Sequence, residues 1–338
     1  MKPLYPLRFE PIFKHNLWGG QRLPTYLNRT PPHDNAIGEA WVVSDVDGSL
    51  SRVANGPLEG TTLRELLKAD PKRILGNATA PQGKFPLLLK FIDARQELSV
   101  QVHPNDEQAA KLGPGLFGKT EAWVVLDACE NTSRLYAGFV SGMNADRFRD
   151  ALRDKSTPGT LHSFTPKEGD CLFLEAGTVH AIGADLLIFE VQQTSDITYR
   201  LYDWDRVDSQ TGKPRQLHIE EGLGASDFGR GPCHPVRPKV SEAEGVRREG
   251  LVNCQYFSLA RLASRVPFRV GAKGECRMVV CVAGAGEIEW RGHRSPITTG
   301  DTVLLPAEVG EARCVPTREI TVMECGIPRG AASQAGAA

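Results

Sequence analysis

Ser99, Gln101 and His103 stand at every second position of the segment 98–104, LSVQVHP. In an extended strand alternate side chains share a face, so these three polar groups would point the same way, opposite two valines. The common form of such a strand has a buried apolar face and a solvent-exposed polar face. The alternative is that the polar face is itself interior, as in a barrel that encloses a binding site.

Glu121 and His180 extend this set of polar groups. Lys119 and Glu121 are two positions apart at the start of the apolar run EAWVVLDA, so they would share a face. His180 follows the turn-like segment 175–179 and begins the next apolar run. The amide oxygen of Gln101, one carboxylate and two imidazoles suit zinc or a similar divalent ion. Because no short ligand motif such as HExxH is present, the spacing alone is only suggestive of a single metal site.

The segment 193–200, QTSDITYR, adds an anion-binding candidate. Alternation places Asp196, Thr198 and Arg200 on one face. An arginine held by a neighbouring carboxylate can still present its planar group to an anionic oxygen. The competing interpretation is an ordinary surface ion pair, which contributes little.

Residues 113–120, GPGLFGKT, match the phosphate-binding pattern GxxxxGK[ST] in full. That pattern binds nucleotides only when a buried strand precedes it and a helix follows it. Here a polar helical pattern precedes it and a strand-like run follows. The sequence therefore argues against a nucleotide site.

Composition and charge exclude several classes of protein. The chain has 338 residues, 41% hydrophobic and 24% charged, with a formal net charge of −1. Such a balance gives no global field that would attract nucleic acid or an anionic membrane. No segment approaches the roughly 20 apolar residues that span a bilayer, and the N-terminus does not resemble a secretory signal. Eight cysteines without a CxxC pair predict reduced thiols in a cytoplasmic protein.

Short β-branched runs separated by glycine and proline predict an all-β protein with a few short helices, at 62–69, 105–112 and 145–154. The polar stretch 229–250 is interpreted as an exposed linker. The segments GDCLFLEA and GDTVLLPA resemble each other, which predicts two copies of one β unit. Because the second copy has no nearby histidine, one working site is expected. The domain prediction is a catalytic unit at 1–230, a second unit without metal ligands at 231–328, and a disordered tail at 329–338.

The same segments resemble a known family, the type I mannose-6-phosphate isomerases in their short bacterial form, which belong to the cupin superfamily. The resemblance extends from about residue 9 to about residue 225, and the rest matches only in outline. It is carried by NLWGG, GEAWVVS, PLLLKFIDARQELSVQVHPND, GKTEAW, AGTVHAIG and VQQTSDITYRLYDWDR. It implies two jelly-roll (cupin) β-barrel units, the first carrying the metal site.

The resemblance also implies a reaction and a set of roles. The family interconverts mannose 6-phosphate and fructose 6-phosphate by proton transfer between C1 and C2, with one zinc ion per chain. Its motif ligands fall on Gln101, His103, Glu121 and His180, and its active-site lysine, acidic residue and arginine fall on Lys119, Asp196 and Arg200. One departure is Glu175, which replaces a proline common in the family and adds a carboxylate expected near the metal.

The chemistry of this isomerisation predicts roles for individual residues. Arg200 is expected to stabilise negative charge or grip the substrate, and Lys119 to take part in proton transfer or ring opening. Asp196 and a water held by the metal are alternatives for the base, and Ser99 is a candidate for binding the phosphate. The expected partner is a small sugar phosphate, bound by a monomer or homodimer. Two other functions stay open: another metal-dependent cupin enzyme, or a sensor that binds a sugar phosphate without catalysis.

Overall fold

The computed structural model describes residues 3–31, 35–207 and 212–328; the predicted disordered tail at 329–338 lies outside them. This part of the chain is mostly β, with a few short helices. None of its helices has the length and apolar character needed to cross a membrane. The α-helices are α1 (Arg22–Tyr26), α2 (Leu63–Ala69), α3 (Pro71–Leu75), α4 (Asp106–Ala110), α5 (Ala145–Arg153) and α6 (Ile219–Ala225).

The strands of the first two thirds of the chain are β1 (Ile12–Gly20), β2 (Ile37–Val43), β3 (Asp45–Val46), β4 (Ser49–Leu50), β5 (Leu87–Ala94), β6 (Val100–Val102), β7 (Glu121–Ala128), β8 (Leu135–Phe139), β9 (Leu161–Phe164), β10 (Cys171–Leu174), β11 (His180–Ile182), β12 (Leu186–Gln193) and β13 (Tyr199–Tyr202). The last third contributes β14 (Lys239–Ala243), β15 (Val246–Asn253), β16 (Ser258–Ser264), β17 (Phe268–Gly271), β18 (Arg277–Trp290), β19 (His293–Thr298), β20 (Thr302–Leu305) and β21 (Glu311–Gly326).

Three antiparallel sheets organise these strands. A six-stranded sheet has the order β1-β2-β5-β12-β7-β10, and a five-stranded sheet has the order β13-β6-β11-β8-β9. The eight strands β14–β21 form a third sheet, and β3 pairs with β4 alone. The last third of the chain therefore supplies a sheet of its own.

The apolar residues lie in layers between these sheets. Trp123 of β7, Leu135 of β8 and Ile182 of β11 belong to one buried cluster, which joins the six-stranded sheet to the five-stranded sheet. On its other face the six-stranded sheet packs against the third sheet, in a cluster that includes Phe91 and Met278. Strands β5 and β12 are consequently buried along their whole length, which explains their nearly continuous apolar sequences.

The helices predicted at 62–69, 105–112 and 145–154 are confirmed as α2, α4 and α5, whereas α1, α3 and α6 were not predicted. Thr62 and Asn105 form capping boxes at the first turns of α2 and α4. Asn144 caps α5 by accepting a hydrogen bond from the backbone of Arg147. The order around 113–120 is helix α4, loop, strand β7, the reverse of a phosphate-binding loop, as predicted.

The interpretation of 229–250 as a linker is wrong for its second half. Strands β14 and β15 form a hairpin there, with Ala243 paired to Val246. All five side chains of β14 are exposed, so neither face of that strand carries an apolar pattern. Periodicity cannot reveal a strand that buries neither face.

The two GD segments fold into matching turns. Gly169 donates its backbone N–H to Val125 O, and Gly300 donates to Cys281 O, both at 2.8 Å. Both glycines have positive φ, 87° and 90°. The side chain of Asp170 accepts a hydrogen bond from the backbone three residues earlier, and so does that of Asp301. The repeat seen in the sequence is therefore a repeat of local structure.

Phe91→Ala tests the layer between the six-stranded sheet and the third sheet. The Phe91 side chain is fully buried, with its ring 5.4 Å from that of Tyr26 and 5.6 Å from that of Phe189. Removing it leaves a cavity and should lower the free energy of unfolding by about 3–5 kcal/mol, measured by urea denaturation. Leu112→Ala, at a side chain that is 52% exposed, should change it by less than about 0.5 kcal/mol. Equal effects of the two substitutions would contradict this packing.

Candidate active site

Four polar side chains meet between the six-stranded and five-stranded sheets. Gln101 on β6 is paired in register with His180 on β11, and Glu121 begins β7 in the facing sheet. The Nε2 of His180 lies 3.3 Å from Oε1 of Glu121, and the Nε2 of His103 lies 3.7 Å from Oε2. Val100 packs on the opposite side of β6. The polar face of this strand thus lines the interior, which was the less common of the two alternatives.

The two histidines are held with the same nitrogen facing the centre of the cluster. His103 Nδ1 donates to the carbonyl oxygen of Ile197 at 2.8 Å, and His180 Nδ1 donates to that of Thr178 at 2.9 Å. A carbonyl can only accept, so both Nδ1 atoms carry the proton and both Nε2 atoms keep a free lone pair when neutral. Backbone carbonyls commonly orient metal-binding histidines in this way.

Electrostatics keeps both imidazoles neutral. Burial and the adjacent charge of Lys119 lower the pKa of His180 to about 4. The same two causes, with a contribution from His180, hold the pKa of His103 well below its ordinary value. Neutral imidazole is the form that binds metal ions, so both side chains are ready to bind at neutral pH.

The carboxylate of Glu121 is the strongest indication that these side chains can bind a cation. Its side chain is 1% exposed, and neither oxygen has a hydrogen-bond partner among the described residues. The ammonium of Lys119, 3.0 Å from Oε2, forms an ion pair with it. A buried carboxylate whose oxygens accept no hydrogen bond is costly unless cations compensate its charge.

The donor atoms fit a single divalent ion. Within residues 3–31, 35–207 and 212–328, His103, Glu121 and His180 are the one group of three or more histidine, cysteine or acidic side chains whose donor atoms lie within 4.8 Å of one another. Gln101 adds an amide whose Nε2 is 3.3 Å from His180 Nε2. Oxygen and nitrogen of an amide are interchangeable by a flip of the group, which would present an oxygen ligand instead.

Lys119 lies at the edge of this donor set. Its Nζ is 3.0 Å from Glu121 Oε2, 3.0 Å from His103 Nε2 and 3.9 Å from Glu190 Oε1. The side chain is 5% exposed. The predicted common face of Lys119 and Glu121 is therefore the face that points into the site.

The sequence analysis missed three charged residues that belong here: Glu39, Lys90 and Glu190. Strand register sets Glu190 opposite Lys90, with their charged atoms 3.4 Å apart. Lys90 also contacts Glu39 at 3.2 Å. The charges inside the apolar runs LLLKFIDA and LLIFEVQQ were the available signal, since a charge in a fully buried strand requires a partner.

Glu39, Lys90 and Glu190 form a buried row of charges in which each group shifts the pKa of its neighbours. Burial, followed by the charge of Glu121, raises the pKa of Glu190 to about 7. Burial also opposes ionisation of Glu39, yet Lys90 and the Trp41 indole outweigh it and hold the pKa of Glu39 below its usual range. Burial would lower the pKa of Lys90, but Glu190 and Glu39 raise it above its usual value.

A cavity of about 320 Å³ opens beside these groups. Asp196, Thr198 and Arg200 all line it, as the alternation predicted. Arg200 is not held by Asp196, however. Its Nη1 donates to the carbonyl oxygen of Gln216 at 3.0 Å, and the Asp196 side chain is exposed at the rim.

A second arginine lines the same cavity, and the sequence analysis did not identify it. The Nε of Arg215 donates to the carboxylate of Asp203 at 2.8 Å. Burial and the nearby charge of Arg215 lower the pKa of Arg200. His218 and Ser99 complete this end of the cavity, and Ser99 Oγ lies 3.4 Å from Gln101 Oε1. Such an arrangement suits a doubly charged anion.

Glu175 does not face the metal cluster, which corrects the expectation of an extra carboxylate there. Its side chain is 57% exposed, and its carboxylate pairs with Arg230 at 3.4 Å. Both line a separate groove on the surface. The substitution in the turn therefore changes the surface and leaves the donor set unaltered.

Comparison with known proteins identifies a family for this arrangement. The family model described as phosphomannose isomerase type I, catalytic domain, matches residues 7–120. The chain is 35% identical over 308 residues to the mannose-6-phosphate isomerase ManA of Bacillus subtilis, covering 90% of this chain and 94% of that protein. It is 32% identical to the mannose-6-phosphate isomerase of Streptococcus mutans, covering 89% and 92%. A crystal structure of the Bacillus subtilis mannose 6-phosphate isomerase superposes with a TM-score of 0.87 at 28% identity, covering 95% of this chain and 99% of that one.

Lys90→Met tests the buried row of charges. The substitution leaves Glu39 and Glu190 without their shared cation and should lower the free energy of unfolding by about 3–5 kcal/mol near pH 8. Unpaired buried carboxyls have raised pKa values, so they take up protons as the pH falls and the unfavourable charge disappears. The difference from wild type should therefore shrink between about pH 8 and about pH 5.5, measured by urea denaturation.

Lys84→Met is the matched control for this measurement. Lys84 pairs with Asp47, whose side chain is 71% exposed, so removing that ammonium should change stability little at either pH. A pH-independent deficit in the Lys90 variant would contradict the assignment of a buried charge row.

Proposed function

The chain belongs to the type I phosphomannose isomerase family, and we propose that it interconverts mannose 6-phosphate and fructose 6-phosphate in the cavity between its two N-terminal sheets. The observation that carries the proposal is the carboxylate of Glu121, which accepts no hydrogen bond from the described residues and is buried between two neutral imidazoles and beside the ammonium of Lys119. Relatives that match nine tenths of the chain are named for this reaction. The cavity also provides separate places for a sugar and for a phosphate.

We propose zinc as the ion, held by Gln101, His103, Glu121 and His180. Two nitrogen and two oxygen donors suit this metal, and the raised affinity of neutral imidazoles supports the assignment. When bound, the ion would act as a Lewis acid that draws negative charge onto the substrate oxygens at C1 and C2. Proton transfer and phosphate binding are proposed for other residues of the cavity.

Proton transfer between C1 and C2 requires a group that accepts a proton and returns it. Lys119 is proposed to take part in this step, or in opening the sugar ring, because its Nζ lies inside the cluster and only 3.9 Å from Glu190 Oε1. Glu190 is proposed as its proton-exchange partner, since a carboxyl with a pKa near 7 can take up or release a proton at working pH. Asp196 stands at the rim, which makes it the weaker candidate.

The phosphate is proposed to bind where Arg200 and Arg215 line the cavity, and Ser99 and His218 line the same cavity with further polar hydrogen atoms. Arginine suits phosphate because its planar group can donate two parallel hydrogen bonds. Arg200 is paired in register with Gln101, so it is also proposed to support charge that develops on the substrate.

We propose that the chain contains two jelly-roll (cupin) units, 1–230 and 231–328, and that the second carries no metal. Two sheets that share a core in the first unit, a separate sheet in the second, and the matching turns at Gly169 and Gly300 support this division. Strand register places Arg277 opposite Leu305 where Glu121 stands opposite Leu174. A cation at that position disfavours a second ion. All eight cysteines are free thiols, which supports a cytoplasmic location.

Chelation is the direct test of the function. Treating the protein with a strong chelator should abolish conversion of mannose 6-phosphate to fructose 6-phosphate in a coupled assay, and zinc should restore it. Glu121→Gln should bind less metal and stay inactive after zinc is added, because it removes the charge that attracts the ion. Full activity in chelated protein, or none in zinc-loaded protein, would contradict the proposal.

Lys119→Ala tests the proton-transfer role. The variant should keep less than about a tenth of the wild-type kcat, because removing a general acid–base group commonly costs about 100-fold or more. Lys111→Ala, at an exposed lysine in the same loop, should leave kcat unchanged. Activity above that threshold in the Lys119 variant would show that the proposed role is wrong.

A further inference from the structure

The carboxylate of Asp106, at the start of α4, joins three parts of the chain. Its Oδ1 accepts hydrogen bonds from the backbone N–H of Gly118 at 2.9 Å and from Nε2 of Gln193 at 3.0 Å. Its Oδ2 accepts a hydrogen bond from the hydroxyl of Tyr256 at 2.6 Å. Gly118 and Gln193 belong to the surroundings of the active site, whereas Tyr256 lies between β15 and β16 of the third sheet.

These contacts fix the backbone on both sides of Lys119. The N–H of Lys119 donates to Pro104 O at 3.0 Å, and that of Thr120 donates to Oε1 of Gln193 at 2.9 Å. The backbone N–H groups of residues 118, 119 and 120 thus donate to Asp106, Pro104 and Gln193 in turn. Gln193 is itself hydrogen-bonded to Asp106. The fit is also tight, because a Cβ on Gly118 would lie 2.6 Å from the backbone nitrogen of Asp106.

We propose that Tyr256 is a positioning residue for Lys119, by which the third sheet sets the geometry of the active site. Its hydroxyl orients Asp106, and Asp106 orients Gly118 and Gln193. Those two contacts place the Lys119 ammonium against Glu121 and Glu190. The inference rests on the proposed function, since it assumes that Lys119 acts in the isomerisation.

The size of the effect follows from the chemistry of the bond. A phenol that donates to a carboxylate makes a strong, short hydrogen bond. Without that donor the Asp106 side chain can rotate, and the bonds to Gly118 and Gln193 loosen with it. A displacement of about 1 Å in a catalytic group can reduce turnover by up to about 100-fold. The side chains of Arg200 and Arg215 are held by Gln216 and Asp203 rather than by this network, so substrate affinity should change little.

Tyr256→Phe in the full-length, zinc-loaded protein tests the inference, with Tyr26→Phe as the matched control. The Tyr26 hydroxyl also joins the first unit to the third sheet, by donating to Val282 O at 2.9 Å, but it has no contact with the Lys119 network. Tyr256→Phe should lower kcat about tenfold in the coupled assay, with KM within about twofold of wild type and unchanged zinc content. Tyr26→Phe should leave kcat at the wild-type value.

Asp106→Asn completes a double-mutant cycle with Tyr256→Phe. If Tyr256 acts through Asp106, the double variant should be no slower than Asp106→Asn alone. Wild-type kcat in Tyr256→Phe, equal losses in the two tyrosine variants, or additive losses in the cycle would each overturn the inference. An inactive wild-type enzyme would instead refute the proposed function.

Discussion

The site depends on a row of buried charges. Four of these charged residues lie on neighbouring strands of the six-stranded sheet, and the fifth, Lys119, lies just before one of those strands. Two ammonium groups, of Lys90 and Lys119, stand among the carboxylates of Glu39, Glu121 and Glu190. With every group ionised, the row carries one more negative charge than positive. Because charge is expensive to bury, this excess favours the binding of a further cation and the uptake of a proton. The same constraint accounts for the pKa of Glu190 near 7, which burial and the charge of Glu121 raise.

The sequence predicted the parts of this row that lie within short, polar-rich segments. Alternation was sufficient to bring Lys119 and Glu121 to one face, and family motifs supplied the ligand roles. Lys90 and Glu190 were not found, because each lies within a mostly apolar strand and the two meet only through the register of β5 with β12. Sheet order is a property of the whole chain, so no local pattern encodes it. The β14 hairpin was missed for a related reason, since a strand with both faces exposed has no period to detect.

The two units are connected more closely than a division at residue 230 suggests. Their apolar residues form one continuous cluster, to which Phe91 and Met278 both belong. Polar links reinforce this contact at Tyr26 and Tyr256. The third sheet therefore packs directly against the six-stranded sheet, which carries Glu121, Glu190 and Lys90. A sheet without ligands of its own can in this way determine how precisely ligands elsewhere are held.

The paired turns at Gly169 and Gly300 carry a historical consequence. The two turns share the same backbone bonds, the same glycine conformation and the same aspartate cap. These shared features are compatible with duplication of an ancestral gene segment. In such a history only one copy has to keep its ligands, and the other can accept substitutions such as the arginine at position 277. The turn at Gly300 would then persist because the fold needs it, independently of any reaction.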